Sequence, residues 1–153
     1  MRILLALDFS SLTDALVAQV EAIAGGSSAS GQSVEVFVLH VAAPDPDFVG
    51  YEAGPQSVRD QRAAELREEH RELEALAERL SAHPRIQAHP RLISGRTAET
   101  LCAQAEEHQT DWIVMGSRGI GALQELFLGS TSKDVLQNAP CPVLIVPAHL
   151  APS

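Results

Sequence analysis

The residues best suited to chemistry lie late in the chain: GSRGIG over residues 116–121, then GSTSK over residues 129–133. Glycines let a backbone turn tightly and come close to a ligand, and successive amides offer donors to phosphate oxygens. Ser130, Thr131 and Ser132 stand where a helix begins, and open amides and the helix dipole favour an anion there. Arg118 and Lys133 are the nearby cations; Arg118 reads equally as a phosphate ligand or a solvated arginine, and Lys133 as exposed. No GxxxxGK[ST] occurs, which excludes a P-loop. The spacing of GSRGIG does not match the GxGxxG dinucleotide fingerprint, which argues against a nicotinamide dehydrogenase. A further carboxylate, Asp8, closes the first apolar run. It reads either as a helix-capping residue or as a ligand for a sugar hydroxyl.

These groups are positioned by short apolar runs alternating with longer helical patterns. Residues 3–7, 34–41, 86–93, 112–115 and 143–146 read as strands, the third weakened by Pro90 and so placed at a sheet edge. Helical spacing covers residues 12–24, with Leu12, Ala15, Leu16, Val20 and Ile23 inward. It recurs over 58–80, with a stripe of Leu66, Leu73, Leu76, Ala77 and Leu80, over 97–108, and, interrupted at Gly129, over 122–138. Residues 25–31 read as a turn-rich linker, and residues 42–55, with three prolines and two glycines, as a long loop. The β-α-β-α-β-α-β-α-β alternation predicts a single α/β domain with a doubly wound, five-stranded parallel sheet and helices on both faces. In such sheets ligands bind beyond the carboxyl ends of the strands. The expected domain is residues 1–148, followed by a short tail, 149–153.

Composition narrows the function classes. With 153 residues and 45% hydrophobic content the chain can bury one core. A net charge of -9 disfavours nucleic acid and anionic membranes as partners, and 4% aromatic residues leave few platforms for stacking bases. No run is long enough for a signal peptide core or a membrane span, so a cytoplasmic location is expected. Cys102 and Cys141 form no CxxC pair and read as inert buried thiols, and the six histidines show no metal spacing. The last strand, residues 143–146 (VLIV), carries no charged gatekeeper and is expected to pair with a second copy of itself.

Gly116, Gly119 and Gly129-Ser130 together spell G-x2-G-x9-G-[ST]. Their surroundings, DWIVMGSRG before and GSTSKDVLQNAPCPVLIVP after, with the opening ILLALDFS and the stretch ISGRTAETL, resemble the universal stress protein family over almost the whole chain. The resemblance implies a Rossmann-like sheet of order 3-2-1-4-5, as in adenine nucleotide alpha hydrolase-like folds, usually in a homodimer. It also implies ATP as ligand, with AMP or ADP as alternatives and Mg²⁺ or Mn²⁺ as an open question. On this chain Asp8 would hold the ribose hydroxyls, and the Val41 backbone would meet the adenine edge. Gly116, Arg118, Gly119, Gly129, Ser130, Thr131 and Ser132 would surround the phosphates, with Leu7 and Met115 beside them. Two departures from the family's pattern are Thr131, where valine is common, and Phe9, where a small residue is usual and whose ring is expected to narrow the ribose pocket. No general base is evident, so any hydrolysis should be slow and incidental to a regulatory, stress-response role. A nucleotide-hydrolysing or nucleotidyl-transfer enzyme and a non-binding dimerisation module are the alternatives.

Overall fold

The structure, a computed structural model, describes residues 1–26, 33–42, 56–117 and 129–151. Five strands, β1 (Arg2–Leu7), β2 (Val34–Ala42), β3 (Ile86–Ser94), β4 (Trp112–Gly116) and β5 (Val143–Val146), alternate with helices. The helices are α1 (Thr13–Gly26), α2 (Gln56–Ser81), α3 (Thr97–Glu107) and α4 (Ser130–Asn138), and a 3-10 turn follows at Ala148–Leu150. All strand pairs are parallel and the order is β3-β2-β1-β4-β5, as the resemblance implies.

Side-chain alternation divides the interior between the two faces of the sheet. Ile3, Leu5 and Leu7 of β1 join Val34, Val36 and Val38 of β2 on the face covered by α1 and α2. Leu4 of β1 turns the other way, joining Leu39, Val41, Ile113 and Met115 beneath Leu101 and Ala105 of α3 and Val135 of α4. The long charged helix α2 docks by its C-terminal half, where Leu73, Ala77 and Leu80 are buried, and Leu66 stays half-buried. β3, which contains Pro90, pairs with β2 alone and forms the expected edge.

Helix α1 runs through Gly26, two residues into the expected linker. Ala24, wholly buried, ties its last turn to the core and offsets the weak helical preference of the glycines. The remainder of that linker, most of the expected loop and the first part of the interrupted helix lie outside the described residues. Ahead of α1, Ser10 Oγ accepts from the Leu12 amide at 3.4 Å and Ser10 C=O from the Thr13 amide at 3.0 Å, and Leu12 C=O accepts the first α-helical bond, from Leu16 N–H at 2.9 Å.

Gly116, at the end of β4, is required by packing. A Cβ there would stand 2.9 Å from Leu12 Cδ1, and Leu12 is buried, so the methyl has no room to move into solvent. Gly116→Ala is expected to destabilise the fold by about 1–3 kcal/mol, the usual range for overpacking. Gly25→Ala on α1, where an added methyl meets nothing within 4 Å, is expected to stabilise by up to about 1 kcal/mol. Urea unfolding of both variants should give midpoint shifts of opposite sign; equal shifts would contradict this packing.

Candidate functional site

Strand β1 ends at Leu7, paired with His40, whereas β2 continues to Ala42. Asp8 follows at once, and its Oδ1 accepts the Ser10 amide at 3.1 Å, an Asx-type turn that swings the chain into α1. Phe9 takes φ 52°, a left-handed conformation uncommon outside glycine. Its ring packs on His40 with centroids 4.6 Å apart and against the core on the α1 and α2 face. His40 Nδ1 lies 2.8 Å from Leu7 C=O, holding the turn to β2. The left-handed φ at Phe9 directs its ring to His40, and the ring is not among the residues lining the cavity described next.

A cavity of about 290 Å³ opens at the carboxyl ends of β1 and β4, where the strand order reverses. One wall is Ala6, Leu7 and Asp8, another is Met115 and Gly116, and the remainder comes from Thr97 and Leu101 of α3 with Gly129, Ser130 and Thr131 at the start of α4. The site residues brought together are thus Leu7, Asp8, Met115, Gly116, Gly129, Ser130 and Thr131. Ser132 is not among them. It is 2% exposed and turned into the protein, because the third position of α4 faces the core one turn before Val135. Val41 does not line the cavity either, and its side chain belongs to the core. Its main chain is another matter. Ala42 C=O accepts from Gly95 N–H on the β3 side at 3.1 Å, so alternation turns the polar groups of Val41 toward the β1 side, past the end of that strand. Arg118 and Gly119 lie outside the described residues. Lys133 is exposed, as expected.

Thr97 and Leu101 were not expected at the site, although ISGRTAETL was singled out as a motif. They are four residues apart on α3 and so share a helix face. That face could be found only by knowing that α3 and α4 cover the same side of the sheet.

Both helices present their N-termini to the cavity. The first bond of α4 runs from Lys133 N–H to Gly129 C=O at 3.1 Å, so the amides of residues 130–132 stand ahead of the hydrogen-bonded ladder. The cap residue Gly129 supplies no side-chain bond, and the first turn contains no acidic residue. In α3 the first bond is Thr100 N–H to Arg96 C=O at 2.9 Å, and Arg96 likewise makes no side-chain cap. Arg96 instead pairs with Glu99 at 2.8 Å. An arrangement of this kind suits an anion held by amides, hydroxyls and two helix dipoles, in a protein whose net charge is -9. Among the described residues no group of three or more His, Cys, Asp or Glu side chains could hold a metal, and no helix is long and apolar enough to cross a membrane. The two cysteines are half-buried thiols, and burial, followed by the charge of Cys141, raises the pKa of Cys102.

Comparison with known proteins places this geometry in context. A universal stress protein from Thermus aquaticus, from the 3' region of a QAH/OAS sulfhydrylase, is 40% identical over 134 residues, covering 86% of each chain. The solved structure of the protein MJ0577 superposes with a TM-score of 0.74 at 26% identity, over 95% of this chain and 94% of that one. A universal stress family protein from Arabidopsis thaliana with AMP bound has the same fold, with a TM-score of 0.63 at 19% identity over 100% of this chain and 97% of that one. The model of the universal stress protein family matches residues 1–147, and the chain belongs to that family.

Proposed function

We propose that this protein binds ATP in the cavity between Asp8 and the start of α4, and that occupancy rather than turnover is its output. The observation that carries the reading is the meeting of Asp8, Gly116 and the Gly129-Ser130-Thr131 helix start around one cavity. Asp8 would accept hydrogen bonds from the ribose hydroxyls through its carboxylate. The main-chain groups of Val41, past the end of β1, would meet the adenine edge, with Leu7 and Met115 against the nucleoside. Gly116, the amides ahead of the α4 ladder and the hydroxyls of Ser130 and Thr131 would take the phosphates, and Thr97 would face them from α3. Arg118 and Gly119 complete the glycine pattern and are assigned to the phosphates by similarity alone. AMP in the Arabidopsis protein supports an adenine nucleotide in a fold of this shape.

The described residues at the cavity offer one carboxylate, Asp8, and its Oδ1 is engaged by the Ser10 amide. In this reading hydrolysis is slow at most, and the protein has a regulatory, stress-linked role in the cytoplasm. In this reading residues 1–148 act as one nucleotide-binding unit with 149–153 as a tail.

Calorimetry with ATP and Mg²⁺ tests the site. The parent is expected to bind and Gly129→Glu to lose binding, because a carboxylate at the helix start repels phosphate. Asp8→Asn should weaken ATP by about 10-fold or more, the usual scale for a hydrogen bond to a charged group. ATP failing to bind the parent, or binding both variants with parental affinity, would refute the assignment.

The same reading includes a homodimer formed through β5. Val146 C=O accepts from Ser117 and Pro142 C=O from Ile113, on the β4 side, so the polar groups of Val143 and Ile145 face outward at the edge. Val143→Pro removes an outward amide without touching the β4 ladder. Sedimentation should then show a dimeric parent and a more dissociated variant; a parent that stays monomeric at high concentration would refute the dimer.

A further inference from the structure

Beside the nucleotide cavity a groove of about 290 Å³ runs between α3 and α4. It shares Thr97 and Thr131 with that cavity, and Cys102 lines it opposite Asp134 and Asn138 of α4. Cys141 follows Asn138 by three residues. Both cysteines are half-buried against one core cluster that includes Leu101, Ala105, Ile113 and Val135. Cys141 Sγ lies 3.6 Å from Thr110 Oγ1. That hydroxyl donates to Ala105 C=O at 3.4 Å, and Ala105 is one turn along α3 from Cys102. The chain's two cysteines therefore border one core cluster, Cys102 on the groove and Cys141 beside Thr110. Their proximity is also felt electrostatically, since the charge of Cys141 adds to burial in raising the Cys102 pKa.

We propose that Cys102 and Cys141 form a reversible disulfide that ties α3 to the segment following α4 and thereby weakens nucleotide binding. The second half rests on the ATP reading above. The oxidant is a small disulfide. A thiolate, formed by loss of a proton from one cysteine, attacks a sulfur of the small disulfide, forms a mixed disulfide and expels one small thiolate. The second cysteine then loses its proton and attacks the protein sulfur of that mixed bond, expelling the other small thiolate. Two protein thiols lose two electrons and two protons, and one small disulfide becomes two small thiols. A bond of about 2.05 Å between the sulfurs draws α3, and the groove wall that carries Cys102, toward the segment after α4. Because Thr97 and Thr131 belong to both spaces, the nucleotide cavity narrows with it.

The test treats the whole protein with oxidised glutathione and reads intact mass, a non-reducing peptide map and ATP affinity. One internal crosslink is expected, with two hydrogens lost, reversed by reductant and absent from Cys102→Ser and Cys141→Ser. The ATP Kd of the crosslinked form should rise about fivefold or more, within the usual range of site coupling, while oxidant-treated Cys102→Ser keeps the affinity of its untreated form. Two thiols that remain free, or only mixed or interchain disulfides, would overturn the proposal. A crosslink with unchanged ATP affinity overturns its regulatory half. If the crosslink forms and neither state binds ATP, the disulfide stands, and it is the nucleotide reading that has failed, taking the coupling with it.

Discussion

Strand β1 is buried between Ile3 and Leu5 and again at Leu7. It is hydrogen-bonded to β2 on one edge and β4 on the other, and its side chains are buried alternately under α1 and α2 and under α3 and α4. Polar groups cannot be tolerated along such a strand without partners, so its chemistry is displaced to its end. Because successive strands are laid down on opposite sides of β1, the loops leaving β1 and β4 diverge and a crevice opens between them. Asp8 and Gly116 stand at that crevice. Gly116 lies close to Leu12 for the same reason, since α1 must pack tightly over the end of β4 to close the core on that face.

For an acidic protein to bind a polyanion, as proposed here, it needs a source of positive potential other than net charge. Here α3 and α4 lie on the same face of the sheet and start at the same cavity, with cap residues whose side chains make no capping hydrogen bond. Their open amides are fixed in place by the helices and need little reorganisation to meet a phosphate. The short α4 is anchored by Ser132 and Val135, both buried, and that anchoring leaves Ser130 and Thr131 on the outward side. Packing under α4 and the open amides and hydroxyls over it are thus two consequences of one helical register.

Much of this was legible in the sequence because buried parallel strands write themselves as short apolar runs. The strand bounds to within one residue, Pro90 at an edge and the apolar stripe of α2 could be read from residue type and spacing. The strand order could not; it came from the resemblance, since alternation alone does not say which strands are neighbours. What stayed hidden depended on which way a side chain turns. Ser132 sits within the glycine-serine motif, yet helical register sends it inward. Thr97 and Leu101 are far from that motif in sequence and reach the cavity only through the packing of α3 beside α4. The ring of Phe9 is turned to His40 by a left-handed backbone at that residue. That Cys102 and Cys141 border one core cluster is likewise a product of tertiary packing and has no local signal.

The most direct measurement is an amide NMR titration of the isotope-labelled protein with ATP. The account predicts that the largest shifts fall on the amides of Gly116, Ser130 and Thr131, with Asp8, Val41 and Thr97 next, and that Gly129→Glu abolishes them. No shifts on saturation with ATP, or shifts confined to residues away from the carboxyl ends of β1 and β4, would contradict it.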